Sequence, residues 1–331
     1  MLSYAKNITI YFLIIILSSC SILEKKKLAD LTIHEFNFRQ WLPENESNIL
    51  IIAIHGYNAH AGSFEIPATL FSKHNIETLS FDLKGFGVNK DFGEWYPLKV
   101  HLNDVYEVIK KISRDKPKKK IFLLGESMGA AIAISLANKK RLPISGLILV
   151  SPAIWNFSEK NFFKSFVINS FSKIFPKVKL SGNGIIKTRP SNNIKMLEEY
   201  SSDPLVIHKP TAESLNGVIH LMDKAYTHAK SYLVSPYYPT LIIMPLIDEI
   251  VPRRPIINLF KQKNIFTNFN KNLYLTVYEN NFHMILRDID GDKVSWEIKE
   301  WILNKKKTAN LQSLVNGIKI LESSKFFHRL D

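Results

Sequence analysis

The sequence predicts an α/β fold: a mostly parallel, eight-stranded sheet flanked by helices, with a helical cap inserted into it. Three observations carry this. Short apolar runs that end in small or polar residues alternate with amphipathic stretches along most of the 331 residues, the pattern of a parallel sheet with crossover helices. One long interval, residues 155–235, interrupts that rhythm and holds no convincing core strand. A hydrophobic content of 46% supplies one large core plus a smaller appended layer.

The chain opens with Lys6 and the amino terminus as positive charges, then a nearly unbroken apolar run over residues 8–17. That run falls short of the roughly twenty residues a membrane-spanning helix needs, and has the length of a signal-peptide hydrophobic region. Leu17-Ser18-Ser19-Cys20 comes next. Cys20 is the one cysteine, which excludes disulfide frameworks and thiolate metal sites within the monomer. Placed at the end of an apolar run, this tetrapeptide resembles the lipobox of bacterial lipoprotein precursors. The resemblance implies a signal peptide over residues 1–19, cleavage before Cys20 and a diacylglyceryl group on its thiol. Residues 20–30 would then be a lipidated tether holding the chain to a membrane of the bacterial cell envelope. Ser21 carries no signal for inner-membrane retention, so the leaflet and the membrane stay open. The competing readings are an ordinary cleaved signal peptide or an uncleaved anchor, with Cys20 incidental.

The formal net charge is +14, which draws a chain toward polyanions. The lysines are scattered apart from short runs at 25–27, 118–120 and 305–307, and no zinc-finger, RNA-binding or helix-turn-helix signature accompanies them. The reading is therefore solvated lysines near loops and element ends, with no nucleic-acid partner.

In the remaining chain, residues 32–41 alternate loosely as an early strand. Apolar runs at 48–54, 76–81, 120–124, 146–150, 240–244 and 272–278 suit strands buried on both faces. Between them, residues 101–114 place Leu102, Val105, Val108, Ile109 and Ile112 on one helical face. Residues 128–139, rich in Ala, Ile and Leu, fit a buried helix, and 294–303 another. The core is thus expected at 31–154 and 236–303, with the cap at 155–235, after the sixth of the eight expected strands. The cap holds an apolar segment at 161–175 and a helix at 213–233. Residues 304–331 form a C-terminal extension with a helix near 311–321.

Gly125-Glu126-Ser127-Met128-Gly129 sits where a buried strand meets a buried helix. This is the context a nucleophile elbow requires: serine on a sharp, strained turn, with glycines two residues either side because strand and helix approach too closely for a side chain. A serine hydroxyl attacks only when a base takes its proton. His283, just after the last apolar run, can be that base, and Asp248, after the run 240–244, can orient and stabilise the imidazole. They keep the order Ser, Asp, His of this elbow's known setting. Glu249 is the nearest rival acid; Asp288 and Asp290 come after the histidine, in the wrong order. The other histidines, including His55, His60, His208, His220 and His228, are read as surface or packing residues. The oxyanion formed on attack needs preorganised donors; the backbone N–H groups of Met128 and Tyr57, the latter in His55-Gly56-Tyr57, are the candidates.

Together these residues resemble the monoglyceride lipase and lysophospholipase branch of the α/β-hydrolases, also described as serine aminopeptidase-like. The resemblance covers about residues 45–303. It rests on His55-Gly56-Tyr57 with Ser63 downstream, the elbow at Ser127, Asp248 with Val251-Pro252, and His283. Asp82-Leu83-Lys84-Gly85-Phe86-Gly87 is similar to the family's Asp-x-Arg-Gly-x-Gly segment with lysine in place of arginine. Ser202-Asp203-Pro204-Leu205 is similar to a short motif of its cap, and Pro245 stands where a glycine is common. The resemblance implies the α/β-hydrolase fold and hydrolysis of esters, often monoacylglycerols or lysophospholipids, with no metal or organic cofactor. An aminopeptidase, a short-chain esterase or a non-catalytic surface lipoprotein are the competing readings. Phe162, Phe163, Phe166, Phe171 and Phe175 of the cap could line an acyl tunnel or dip into a membrane; packing of the cap onto the core is the expectation for most of them.

Overall fold

The computed structural model describes residues 36–180, 188–262, 265, 272–303 and 311–323. The expected signal peptide, Cys20 and tether lie outside the described residues, and the fold is that of the compact unit from Asn37 onward. Seven strands form one sheet: β1 (Phe38–Trp41), β2 (Ile49–Ile54), β3 (Glu77–Phe81), β4 (Lys120–Glu126), β5 (Gly146–Val150), β6 (Thr240–Pro245) and β7 (Leu273–Tyr278), in the order β1-β3-β2-β4-β5-β6-β7. All neighbours are parallel except β1, which runs antiparallel to β3. The helices in chain order are α1 (Glu65–Lys73), α2 (Leu98–Asp115), α3 (Met128–Lys139), α4 (Phe157–Lys160), α5 (Phe162–Ile174), α6 (Ile194–Ser202), α7 (Ala212–Tyr232), α8 (Arg254–Phe260), α9 (Gly291–Leu303) and α10 (Leu311–Glu322).

This is the α/β-hydrolase architecture, with one correction: the described residues form seven strands, not eight. The seven strands correspond to the seven apolar or alternating runs of the sequence, and no run stands behind the expected eighth. The insertion accordingly comes after the fifth strand rather than the sixth. It carries α4 to α7 between β5 and β6.

The sheet is buried on both faces, so its strands read as continuous apolar runs rather than alternating ones. Ile51, Ala53, Phe122, Leu124, Ile148, Val150, Leu241 and Ile243 share one face with Phe64, Ala68 and Phe71 near α1 and with Val294, Ile298 and Ile302 of α9. Successive side chains alternate faces, so Leu50, Ile52, Leu123, Leu147 and Leu149, also buried, point the other way. Helices α2 and α3 cover that face, α2 through Leu102, Val105, Val108, Ile109 and Ile112, the stripe its periodicity predicts. Helices α1, α6 and α8 were not expected: at 9, 9 and 7 residues they are too short to show a helical period. Pro67 sits in the first turn of α1, where its missing N–H has no intrahelical role.

Strand order reverses direction between β2 and β4, and ligands of open parallel sheets bind at the carboxyl ends of strands flanking such a switch point. The loop after β2 and the turn after β4 are therefore neighbours. Their approach sets a tight packing constraint. A Cβ on Gly129, at the start of α3, would overlap the Ile54 carbonyl of β2, and one on Gly125 would overlap the backbone of Gly129 itself. Gly129→Ala is expected to cost at least about 1–3 kcal/mol, the range for overpacking a core. Equilibrium urea denaturation measures it, and a change near zero would mean that α3 can move off the sheet without penalty.

Candidate active site

Ser127 is the residue between β4 and α3. Its backbone adopts φ 56° and ψ −115°, a conformation that costs a non-glycine residue about 1–3 kcal/mol and persists only where surroundings over-determine it. Here they do. Its N–H donates to the Val150 carbonyl of β5 at 2.9 Å, and its carbonyl accepts from Ala131 and Ala153, each at 3.1 Å. The turn lifts the hydroxyl off the strand end and starts α3 directly beneath it.

His283 Nε2 lies 2.8 Å from Ser127 Oγ, and His283 Nδ1 lies 2.7 Å from Asp248 Oδ2. The three sequence-predicted residues, 156 and 35 positions apart along the chain in these two pairs, thus form one continuous relay. The geometry assigns Nδ1–H to Asp248, leaving Nε2 to accept the serine proton. Asp248 is itself fixed: its other oxygen, Oδ1, accepts the N–H groups of Ile250 and Val251 at 2.8 and 2.9 Å. Glu249, the rival acid, points elsewhere and accepts the Arg189 N–H at 2.7 Å. Pro245 ends β6 in register with Tyr278, and the acid loop is then stitched to the histidine loop by Leu246 N–H to Tyr278 carbonyl and Ile247 N–H to Asn281 carbonyl, at 2.9 and 3.1 Å. The proline in the glycine position leaves the carboxylate where the relay needs it.

Asp288 is not the catalytic acid, as sequence order indicates, but it has a role that order does not show. Set aside as a catalytic acid because it comes after the histidine, it is buried and organises the histidine loop. Oδ2 accepts from the Phe282 N–H at 2.7 Å and the Asn281 amide at 3.1 Å; Oδ1 accepts from the Ser191 hydroxyl at 2.6 Å and the Asn192 N–H at 3.3 Å. One carboxylate so ties the residues just before His283 to the chain entering α6. A signal was present in the sequence, an aspartate five residues past the histidine, but nothing local shows what it will reach. Glu126, beside the nucleophile, points away into a buried pair with Arg287 at 3.2 Å.

On the opposite side of Ser127, a Cβ on Gly56 would sit 3.3 Å from Ser127 Cβ and 3.8 Å from Oγ. A side chain there would press on the Ser127 Cβ by a few tenths of an ångström, so glycine gives this loop its closest comfortable approach to the nucleophile. The backbone N–H groups of Tyr57 and Met128, the residues after Gly56 and Ser127, have no backbone acceptor among the described residues. The Tyr57 side chain turns toward the cap: its phenol shares a 2.8 Å hydrogen bond with Ser214 of α7, and burial pushes its pKa up to about 12 although that bond pulls it down. His55, buried, braces the same loop. Its Nε2 accepts the Leu83 N–H at 3.0 Å and its Nδ1 faces the Gly56 carbonyl at 2.9 Å. Burial lowers its pKa to about 4, against upward pulls from the Gly56 bond and the Asp82 charge. It is a neutral packing histidine. His60 Nδ1 accepts from Gly62, which leaves Nε2 to meet Asp203 of the cap at 2.8 Å. Asp82 accepts from Ala61 and Val88 at 2.7 and 3.0 Å. The Asp-x-Lys-Gly-x-Gly and Ser-Asp-Pro-Leu segments therefore shape and hold the loops around the site.

Burial alone would lower the His283 pKa; the charge and hydrogen bond of Asp248 outweigh it, and the net effect holds the imidazole above its ordinary 6.5. A raised folded value stabilises the fold below about pH 6.5, and that contribution is lost as pH rises through the folded pKa. For catalysis the base must be neutral, so kcat/KM is expected to fall as pH drops through that raised value. In Asp248→Asn the falling limb moves to lower pH and the plateau drops by about 10⁴-fold, the scale for a triad acid replaced by its amide. A pH profile of kcat/KM for both proteins checks this; an unmoved limb would remove His283 from the role of base.

The family model described as serine aminopeptidase, S33 matches residues 45–290. Monoglyceride lipase of Rattus norvegicus is 24% identical over 282 residues, covering 83% of this chain and 89% of that protein. Monoacylglycerol lipase of Mycolicibacterium smegmatis is 19% identical over 274 residues, covering 80% and 91%. Among solved structures, a soluble variant of monoglyceride lipase from Saccharomyces cerevisiae in complex with a substrate analog superposes with a TM-score of 0.67 at 20% identity, over 83% of this chain and 92% of that one. With a family model spanning most of its length and a serine–histidine–aspartate relay at the strand ends, this chain belongs to the serine aminopeptidase, S33 family of α/β-hydrolases and is a serine hydrolase.

Proposed function

We propose that the chain hydrolyses carboxylic esters of lipids, with a monoacylglycerol or a lysophospholipid as substrate, through an acyl-enzyme on Ser127. The observation that carries this is the unbroken relay from Asp248 through His283 to the Ser127 hydroxyl. Ser127 Oγ attacks the ester carbonyl as His283 Nε2 takes its proton. The carbonyl oxygen, now negative, is held by the N–H groups of Tyr57 and Met128. His283 then gives its proton to the departing alcohol, which leaves an acyl group on Oγ. Water, deprotonated by His283, attacks that ester, and collapse of the second oxyanion releases the fatty acid and returns the proton to Ser127. Asp248 stays ionised throughout and stabilises the imidazolium in both halves.

The relatives named monoglyceride lipase or monoacylglycerol lipase support the lipid class. Lipidation at Cys20, as the lipobox-like segment suggests, would hold the enzyme beside its substrate pool. Ser127→Ala is expected to lower turnover of a long-chain monoacylglycerol by about 10⁶-fold while circular dichroism stays unchanged. Turnover of aminoacyl amides but of no acylglycerol or lysophospholipid would replace the lipid reading with an aminopeptidase one. The tether has its own check. Intact-mass measurement of the mature chain should show cleavage before residue 20 and an acyl-sized increment that Cys20→Ser abolishes; a mature chain carrying the unmodified cysteine would contradict it.

A further inference from the structure

Helix α10 lies beyond residues 45–290, the span of the family match, yet it packs against β7 and α8. Strand β7 leads into the loop of His283, and α8 follows the loop of Asp248. The helix buries Leu314, Gly317, Ile318 and Leu321. Gly317 sits over β7: a Cβ there would come within 2.9 Å of Leu275 Cδ2. The next residue of the strand points the other way, where the hydroxyls of Thr276 and Tyr278 donate to Glu297 of α9, each at 2.6 Å. The strand that carries the catalytic base is thus held between α9 and α10.

Arg253 joins this helix to the acid loop. It is the last residue of the segment 246–253 that links β6 to α8, and it is only 3% exposed. Nη1 donates to the Leu246 carbonyl at 3.2 Å, across the mouth of that loop, and Nη2 donates to the Ser323 carbonyl, just past α10, at 3.1 Å. A buried guanidinium needs acceptors for its donors, and its planar fork can hold two carbonyls from separate segments in one fixed geometry. The end of α10 suits a cation, because the last carbonyls of a helix lack intrahelical partners and carry the negative end of its dipole. The exposed pair of Lys261 with Glu322, at 2.7 Å, ties the same elements but contributes little in solvent. The two bonds that fix the Asp248 carboxylate come from Ile250 and Val251 of its own loop. They move with the loop and cannot place it against His283. That placement depends on what anchors the loop from outside: the bonds of Leu246 and Ile247 to the histidine side, and the bond of Arg253 to α10.

We infer that Arg253 and α10 form a clasp that sets the Asp248 carboxylate against His283 Nδ1, which makes Arg253 a positioning residue for the catalytic relay although it touches no reacting atom. The inference concerns the relay and is indifferent to which ester the enzyme cleaves. The test uses the full chain and three substitutions. Arg253→Met keeps the bulk of the stem and removes both donors, Arg253→Lys keeps the charge without the fork, and Leu321→Asp puts a charge in the buried face of α10. Three quantities are read: the rate of fluorophosphonate labelling of Ser127 against pH, the far-downfield proton resonance of His283 Nδ1–H, and the thermal midpoint. Arg253→Met should slow labelling by about 10- to 100-fold near neutral pH, the scale for a misplaced catalytic group, with the loss in the rate constant and not in the half-saturating reagent concentration. The resonance should weaken. Asp248, Glu126 and Arg287 are the charges that act on His283, and Asp248, which raises its pKa, is the one whose loop Arg253 closes. The acid limb of labelling should therefore move down by at least about half a pH unit. Arg253→Lys should recover part of each loss, and Leu321→Asp should reproduce the same changes from the other end of the clasp. A merely structural role predicts a lower thermal midpoint with rate, limb and resonance unchanged at temperatures where the chain is folded; that result in Arg253→Met overturns the inference. If Arg253→Met does not fold, the same readouts in Arg253→Lys and Leu321→Asp decide it: a slowed rate with a lowered limb in both supports the clasp, and an unmoved limb in either overturns it.

Discussion

The close approach of β2, β4 and α3 around Ser127 is the constraint on which the rest of this molecule depends. Two glycines flank the serine because a methyl group at either would overlap backbone. The same crowding forces Ser127 to φ 56° and thereby projects its hydroxyl from the sheet. Strain of this kind is held by the cooperative burial of seven strands, not by any one contact. It also accounts for the two candidate oxyanion donors. A helix beginning right after the nucleophile leaves its first N–H groups without intrahelical partners, and a glycine at position 56 brings the neighbouring loop within van der Waals reach of the hydroxyl.

Around that fixed point, the remaining groups are held by loops, and loops need anchors. Asp248 is held by two backbone N–H groups and His283 by Asp248. Asp288 fixes the start of the histidine loop and reaches toward α6 of the cap. His60 with Asp203, and Tyr57 with Ser214, tie the loop after β2 to the cap from the other side. Cap and catalytic loops therefore share hydrogen bonds on both flanks of the nucleophile, so a cap that shifts on the core must exchange contacts with both. This couples the site's geometry to the position of the inserted helices.

Legibility in the sequence tracks physical range. Strands buried on both faces announce themselves as apolar runs, and the elbow is legible because strand, turn and helix are contiguous. His283 and Asp248 were identifiable because each lies just past a recognisable strand. The anchoring role of Asp288 was not, since its partners Ser191 and Asn192 lie about a hundred residues away in the chain and no local pattern links them. The orientation of α5 was misjudged for a similar reason. A segment rich in phenylalanine is expected to bury it, yet α5 buries Ser165 and Ser172 and leaves Phe162, Phe163 and Phe166 exposed, with Ser165 bonded to Ser158, itself held by Asp223 of α7, and Asn169 to Asn216. The eighth strand had no run of residues behind it, and the described residues form seven.

The central claim is that Ser127 is a nucleophile activated by His283. Peptide mapping after incubation with a fluorophosphonate tests it most directly. The account predicts one adduct per chain, on the peptide containing Ser127, formed at a rate that collapses in His283→Ala. A covalent adduct on any other side chain, or labelling of Ser127 at an undiminished rate without the imidazole, would contradict it.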